Sequence, residues 1–288
     1  MDLDIVAYTY DWGLITDLAR RNISRMCGEL GIEHILVSAD IKKKRKNIKK
    51  NVLAWLKKPS LGMIPLFMAG DKQYFYYANL IKKQMKIPLT LYGMNPLERT
   101  DFKVGFCDIN EIDEKEGKHF GLSRYNKFRM LNYYLKEFIS NPSYLNSTLV
   151  DSFWAFSSYY LIKDDYEIIF NYLNWNEEEI NNTLINNYSW ETSEDCDTTW
   201  RIGDATAPFY NYIYYIAAGF TEFDTFQSNL IREGMQTREN ALKIINENNL
   251  PRWNSIKWYC DTIGLEFNST IAVSYTHRTL PTTPDGDD

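Results

Sequence analysis

Short hydrophobic runs alternate with longer amphipathic segments along the N-terminal third of the chain. Three runs, Ile5–Tyr10, His34–Ala39 and Leu89–Gly93, have the length of β-strands. In the segments between them, apolar residues recur three and four positions apart, which predicts helices over 14–30, 42–58 and 70–85. This β-α-β-α-α-β order predicts a parallel sheet with helices on its faces.

The pattern changes after a charged segment at 110–122, beyond which helical periodicity predominates. Helices are predicted over 123–139 and 164–174, after Asn176, and after Thr237. We therefore expect an α/β domain at 1–112 and a helical region at 113–272. Residues 273–288 show no periodicity and contain two prolines, so they are predicted to be a non-native tail.

Composition and charge exclude several classes of protein. The 288 residues carry a net charge of −6, which does not fit a basic nucleic-acid-binding domain. An apolar content of 44% supports a folded core, and no apolar run is long enough to span a bilayer. Four scattered cysteines without a CxxC pair, and no signal peptide at the start, favour the cytoplasm. With three histidines in the chain, any catalysis would rest mainly on carboxylates, Arg, Lys and backbone amides.

Candidate binding residues follow two of the predicted strands. Asp11 comes directly after the first strand, and the segment 93–98 (GMNPLE) follows the third. Ligands of open α/β sheets bind at the carboxyl ends of the strands. The alternative is that both segments are ordinary turns, in which Asp, Asn and Gly are frequent. No glycine-rich phosphate loop of the GxGxxG or GxxxxGK[ST] type occurs.

The segment 188–234 combines Arg, Asp, Glu and Thr with many aromatic residues. Such a mixture is typical of sites for sugars and nucleotides, and equally of a structural core of ion pairs and aromatic rings. Two weaker signals are the basic run at 42–50, which is typical of a solvated helix face, and the helix start at 68–72, which is a possible anion site.

Several blocks resemble one family. The segment AYTYDWGLITDLARRN, then LYGMNPLERTDFK, TTWRIGDATAPFYNYIYY and AGFTEFDTFQSNLIREGM, are similar to the N-acetyl sugar amidotransferase-like branch of the PP-loop ATP pyrophosphatases. The resemblance spans roughly residues 3–272. It implies a Rossmann-like parallel sheet of the adenine nucleotide alpha hydrolase type, followed by a mainly helical region. Since the family's first strand and its SGGxDS phosphate loop do not occur in this sequence, we expect an N-terminally truncated fragment that is inactive alone.

The resemblance also implies a reaction in lipopolysaccharide and O-antigen biosynthesis. ATP, with Mg²⁺, would adenylate the N-acetyl oxygen of a nucleotide-linked or lipid-linked sugar, and ammonia from a glutaminase subunit would then displace AMP. Two alternatives stay open. One is another PP-loop ATP pyrophosphatase reaction, such as thiolation or amide ligation, and the other is a non-catalytic scaffold subunit that docks a glutaminase.

Site residues follow from the same resemblance. It places Tyr10 and Asp11 at the adenine and ribose. The residues expected to face ATP and Mg²⁺ are Gly93, Asn95 and Glu98. The residues expected to contact substrate are Trp200 and Thr206, and those expected to act in catalysis are Arg201, Asp204 and Arg232. No residue is assigned as a resident metal ligand.

Overall fold

The structure is a computed structural model that describes residues 4–68, 70–98, 100, 102–109, 122–161, 165–196, 198–199 and 201–276. The β-strands among these residues are β1 (Val6–Asp11), β2 (Glu33–Ser38), β3 (Leu91–Tyr92) and β4 (Glu167–Ile168). The first α-helices are α1 (Asp17–Leu30), α2 (Ile41–Lys57), α3 (Tyr74–Met85), α4 (Phe102–Gly105), α5 (Arg124–Ser140) and α6 (Thr148–Tyr160). The later ones are α7 (Glu177–Tyr188), α8 (Thr206–Ala218), α9 (Glu222–Arg232), α10 (Arg238–Asn248), α11 (Trp253–Ile263) and α12 (Phe267–Thr276).

The predicted Rossmann-like sheet is wrong. Within the described residues, β1 and β2 form a two-stranded parallel sheet, with Val6 opposite Glu33 and Asp11 opposite Ser38. The strand after α3 does not join that sheet. Instead β3 pairs in parallel with β4, which lies far along the chain. The described part is mostly helical, so the fold is not a parallel sheet followed by a helical region.

Aromatic packing explains why β1 and β3 do not belong to one sheet. Tyr8 of β1 donates a hydrogen bond from its hydroxyl to the carbonyl of Tyr74 in α3, at 3.3 Å. Tyr10 stacks on Tyr77 of the same helix, with ring centroids 5.2 Å apart. The ring of Tyr74 also meets Tyr92 of β3 edge-on, with centroids 5.8 Å apart. Helix α3 therefore packs on both strands through its side chains, and β3 takes its backbone partner from β4.

The main core lies beneath α2, α8 and α11. Trp55, Phe67, Phe209 and Tyr259 are almost completely buried there. Phe209 stacks on Tyr259 at 4.8 Å and contacts Phe67 at 5.9 Å between ring centroids. Because the 3₁₀ helix Leu61–Met68 also enters this core, α8 is fixed against the N-terminal elements. Helix α8 directly follows the loop that carries several of the predicted site residues.

Local signals predicted several helix ends correctly. Helix α1 ends at Gly31, whose φ of 63° is the left-handed conformation that glycine adopts without strain. The side chains of Asn176 and Thr237 cap α7 and α10. The helix predicted over 164–174 is wrong, because the structure has β4 and a short 3₁₀ turn there. Helix α12 continues through Thr276, into the segment predicted as a tail, and residues 277–288 lie outside the described part.

No helix in the described part of the chain has the length and apolar character needed to cross a membrane. The segment 110–121, in which the boundary between the two predicted regions falls, lies outside the described residues.

Gly62 gives a direct test of how tightly this core packs. A Cβ built at Gly62 would lie 2.5–2.7 Å from the ring and hydroxyl of Tyr133, whose hydroxyl also contacts Ser60 Oγ at 2.5 Å. We expect Gly62→Ala to destabilise the protein by about 1–3 kcal/mol, the usual range for overpacking. Gly28→Ala is the matched control, because nothing lies within 4 Å of its Cβ position in α1. Urea unfolding should leave the control unchanged or slightly more stable. Equal stability of the two variants would contradict the close packing of Gly62 against Tyr133.

Candidate functional site

Two distant segments of the chain pair beside the end of β1. The backbone N–H of Thr16 donates to the carbonyl of Gly203 at 3.1 Å. Next to this bond, Ile15 and Asp204 form an antiparallel bridge. The turn after the first strand therefore lies against the segment that carries Arg201, Asp204 and Thr206.

The centre of the site is a group of charged and phenolic side chains, which we call the Glu222 cluster: Glu98, Lys103, Arg201, Tyr210 and Glu222. One Glu222 carboxylate oxygen contacts the Lys103 ammonium, and the other contacts the Arg201 guanidinium. The Tyr210 hydroxyl donates to Glu222 Oε2 at 2.7 Å and accepts from Arg201 Nη1 at 3.1 Å. Arg201 Nη2 lies 3.5 Å from Glu98 Oε2. The cluster thus joins residues from three separate stretches of sequence: 98–103, 201–210 and 222.

Burial makes this cluster energetically important. Glu222 is only 2% exposed, and it lies at the first position of α9. Its backbone N–H donates to Asn211 Oδ1 at 3.2 Å, and the Lys103 ammonium lies 4.3 Å from the centroid of the Tyr210 ring. A carboxylate at a helix N-terminus is favoured by the helix dipole. In this position it also compensates two cations that have little access to water.

The backbone of Arg201 adopts an unusual conformation. Its φ of 55° is in the left-handed region, which a residue with a long side chain rarely adopts. Such a conformation costs on the order of 1–3 kcal/mol and persists only where neighbouring contacts fix it. The contacts to Glu222, Tyr210 and Glu98 supply that fixation, so the guanidinium is held in one orientation.

A second pair of charges lies next to the cluster. Lys72 Nζ is 3.5 Å from Asp71 Oδ2, while Asp71 Oδ1 is buried and has no hydrogen-bond partner among the described residues. Burial raises the pKa of Asp71, although Lys72 and Lys103 oppose the shift. Burial, and then the nearby Arg201, lower the pKa of Lys103 to about 8, against the opposing influence of Tyr210 and Asp71. Lys103 therefore loses its proton more readily than an exposed lysine does.

Asp204 and Thr206 form the adjoining wall. Asp204 Oδ1 accepts a hydrogen bond from the Thr206 backbone N–H at 2.6 Å. Burial raises the pKa of Asp204 to about 6, with a smaller contribution from Asp71, while the hydrogen bonds from Thr206 oppose it. The Thr206 hydroxyl is buried beside the Asp204 carboxyl. A carboxyl that titrates near pH 6 suits proton transfer at physiological pH.

The raised pKa of Asp204 predicts that its ionised carboxyl destabilises the folded state, by an amount that depends on pH. The folded state holds the proton to higher pH than the unfolded state, so stability decreases as pH rises from about 4 to about 6. Asp204→Asn keeps an oxygen acceptor for Thr206 and removes this titration. We expect its stability relative to the parent to increase across that range, by on the order of 1–3 kcal/mol above pH 6. Urea unfolding at several pH values tests this, and parallel pH profiles for the two proteins would contradict it.

Tyr10 and Asp11, predicted to face adenine and ribose, are buried and have protein partners. The Tyr10 hydroxyl donates to Gln73 Oε1 at 3.0 Å. Asp11 is fully buried, where it pairs with Arg20 and accepts from the Gly13 N–H at 2.9 Å. These contacts hold the end of β1 in place. They leave neither side chain exposed to a nucleotide in this conformation.

Side chains from α2 pack against the turn after β1. Gly13 has a φ of 105°, and a Cβ there would meet Ile41 at 3.4 Å and Arg45 at 3.6 Å. The Gly13 carbonyl accepts a hydrogen bond from Arg45 Nε at 2.8 Å. At the start of α1, the Thr16 side chain caps the helix and Asp17 adds a negative charge. This helix N-terminus is therefore unsuited to an anion.

The residues predicted to face ATP and Mg²⁺ differ in their surroundings. Gly93 is exposed, and nothing lies within 4 Å of its Cβ position. Asn95 is buried, its Oδ1 accepts from the Leu97 N–H at 3.0 Å, and its Nδ2 has no hydrogen-bond partner among the described residues. Glu98 reaches Arg201. The described residues contain no group of three His, Cys, Asp or Glu side chains arranged to hold a metal ion.

Arg232 lies apart from these residues. It is exposed in the last turn of α9, where its Nη1 donates to Asn229 Oδ1 at 2.7 Å. Asn229 in turn donates to the Leu97 carbonyl at 2.8 Å, so Arg232 is connected to the Glu98 segment only through Asn229. Trp200 lies outside the described residues.

Sequence reasoning gave no role to Lys103 or Tyr210, and it noted Glu222 only as one of the polar residues in the segment 188–234. Lys103 ends the block LYGMNPLERTDFK, and Glu222 follows Thr221 in a capping box at the start of α9. The capping pattern was a sufficient signal to place Glu222 at a helix N-terminus. Its burial against two cations depends on the tertiary packing of α8 and α9, which no local pattern shows.

Neither a protein-family model nor a curated protein matches the chain.

Proposed function

We propose that this chain carries the acceptor-binding part of an ATP-dependent amidotransferase that acts on an N-acetyl sugar of surface-polysaccharide biosynthesis. One observation carries the proposal. Three of the four blocks on which the family resemblance rests meet at the Glu222 cluster, where Arg201 contacts both Glu98 and Glu222. The resemblance supplies the reaction, and this convergence supports a common site for its residues.

The chemistry suits a cluster of this composition. The acetyl oxygen attacks the α-phosphorus of ATP, pyrophosphate leaves, and the sugar carries an O-adenylyl imidate. Ammonia adds to the imidate carbon, and AMP departs with the former acetyl oxygen, so an acetamidino group remains. A planar guanidinium fixed like that of Arg201 is well suited to a phosphate, since it can donate two parallel hydrogen bonds.

The remaining roles follow from position. Asp204, whose pKa is raised to about 6, would accept a proton from the attacking ammonia. The Thr206 hydroxyl beside it would contact a sugar hydroxyl or amide. Mg²⁺ would come with ATP. It commonly takes one or two protein carboxylates and completes its shell from phosphates and water, and Glu98 is the carboxylate that this site offers.

The proposal is tested on the product of the complete open reading frame. We expect AMP and pyrophosphate to form from Mg-ATP only when an N-acetyl sugar nucleotide or its lipid-linked form is present, with ammonium chloride as nitrogen donor. The present chain alone should bind ATP weakly, because the SGGxDS phosphate loop of the family that it resembles does not occur in its sequence. Micromolar binding of ATP to this chain, or AMP formation independent of any acceptor, would contradict the account.

A non-catalytic role is the second candidate. It is favoured by the burial of Asp11 and Glu222 in contact with protein cations, which is also how structural ion pairs are arranged. In that case the same chain would dock a glutaminase and form no AMP. Co-purification with a glutaminase, together with absent AMP formation across all acceptors, would favour this reading.

A further inference from the structure

A large cavity lies between α5, α6, α4 and the 3₁₀ helix Leu61–Met68. Its volume is about 610 Å³, within the range of roughly 300–1,000 Å³ that is typical of small-molecule sites. The lining is mostly apolar and includes Leu66, Met130, Tyr134, Ala155 and Phe156. Left empty, a cavity of this size would forfeit the packing contacts of its lining, so it favours an apolar occupant.

The mouth of the cavity is apolar as well. Leu131 and Leu135 of α5 line it and are 48% and 56% exposed. Leu145 and Phe153 also line it and are 56% and 61% exposed. Neighbouring apolar side chains continue this surface along both helices: Phe128, Ile139, Val150 and Trp154. A ligand chain longer than the cavity would therefore leave it over apolar protein surface.

Two lysines also line the cavity. Among the described residues, its charged lining side chains are Lys72 and Lys103, and the carboxylates that they contact, Asp71 and Glu222, are not part of the lining. Thr100 lies in the same lining and offers a hydroxyl. Lys103 also belongs to the Glu222 cluster, so the part of the cavity that the lysines line adjoins the candidate functional site.

We propose that the cavity binds a single-chain amphiphile, with its anionic phosphate head at Lys72 and Lys103 and its hydrocarbon chain between α5 and α6. The hydrocarbon chain of such a ligand matches the apolar lining, and its phosphate matches the two lysines. The reading of this ligand as the lipid-linked form of the acceptor rests on the proposed function, whereas the binding itself does not.

Binding is tested by calorimetric titration of the full chain without nucleotide, with dodecyl phosphate below its micelle concentration as probe. We expect saturable binding of one molecule per chain. Octyl phosphate should bind at least about tenfold more weakly, because each buried CH₂ contributes roughly 0.8 kcal/mol. Dodecanol, which lacks the charge, and the variant Lys72→Met should each bind about tenfold more weakly, as expected for a lost charge-assisted contact.

Cavity-filling variants identify the location. Ala155→Trp and, as a second variant in case the first does not fold, Leu149→Trp should each reduce binding at least about tenfold, since a bulky ring displaces part of the ligand chain. Leu250→Ser, on the exposed surface outside the lining, is the control and should bind like the parent. Absent saturable binding, or binding that folded cavity variants retain and Leu250→Ser loses, would overturn the proposal. Because nucleotide is omitted, failure of the amidotransferase reaction leaves this result unaffected.

Discussion

Replacement of Glu222 by alanine is expected to destabilise the protein by about 3–5 kcal/mol, the cost of leaving buried charge uncompensated. Glu222 is 2% exposed, and its two carboxylate oxygens contact Lys103 and Arg201. Its removal also takes the acceptor from the Tyr210 hydroxyl and the negative charge from the N-terminus of α9. Glu222→Gln should destabilise less, because the amide oxygen still accepts from one donor.

Urea unfolding measures this effect, and the chain offers a matched control. Glu239→Ala removes an exposed carboxylate that pairs with Lys243 at 3.1 Å within α10, where both side chains are mostly in water. Such pairs contribute about 0.3–0.5 kcal/mol. Lys103→Met in the Glu222→Ala background should recover part of the loss, since it removes one uncompensated cation. A Glu222→Ala protein within 1 kcal/mol of the parent would show that the carboxylate is not the centre of the cluster.

Replacement of Arg201 by methionine is expected to reduce acceptor-dependent AMP formation by roughly 10²–10³-fold, the loss seen when one preorganised electrostatic contact is removed from a transition state. The guanidinium is fixed by Glu222, Tyr210 and Glu98, so it needs little reorganisation to receive a phosphate. Arg201→Lys keeps the charge and loses the planar fork. It should recover only part of the rate, with the loss in kcat rather than KM.

Two further arginines serve as comparisons for that measurement. Arg238→Met changes an exposed residue at the start of α10 and should leave the rate within a few-fold of the parent. Arg232→Met tests the sequence assignment of Arg232 directly, because the structure connects this residue to the site only through Asn229. A parent-like rate for Arg201→Met, in a protein that unfolds at the same urea concentration, would remove Arg201 from the chemistry.

Local signals in the sequence located about half of the helices in the described part of the chain and did not reveal how the strands pair. Gly31, Asn176 and Thr237 mark helix ends through their own backbone or side-chain chemistry, so they could be identified without tertiary information. Strand pairing depends on partners that are distant in the chain. The apolar run after α3 was correctly predicted to contain a strand, yet its partner is Glu167–Ile168, a segment predicted to be helical.

The candidate site, too, could be predicted only in part from the sequence, because its residues meet through tertiary packing. Glu98 was noted because it follows a predicted strand, and Arg201 and Asp204 because they lie in the polar, aromatic-rich segment 188–234; the structure brings the three into one neighbourhood. Lys103 and Glu222 received no role, because a lysine or a glutamate in a helix is usually a solvated charge. Their importance arises from burial beneath the aromatic residues of α8, which only the packed structure shows.

The central claim is that the acetyl oxygen of a sugar becomes the adenylylated atom, and one isotope measurement tests it most directly. The product of the complete open reading frame would be incubated with Mg-ATP, ammonium chloride and an acceptor whose acetyl group carries the heavy oxygen isotope, and the released AMP would be examined by mass spectrometry. The account predicts that the heavy oxygen appears in AMP and that the sugar product has NH in its place. Unlabelled AMP, with the heavy oxygen retained on the sugar, would contradict it.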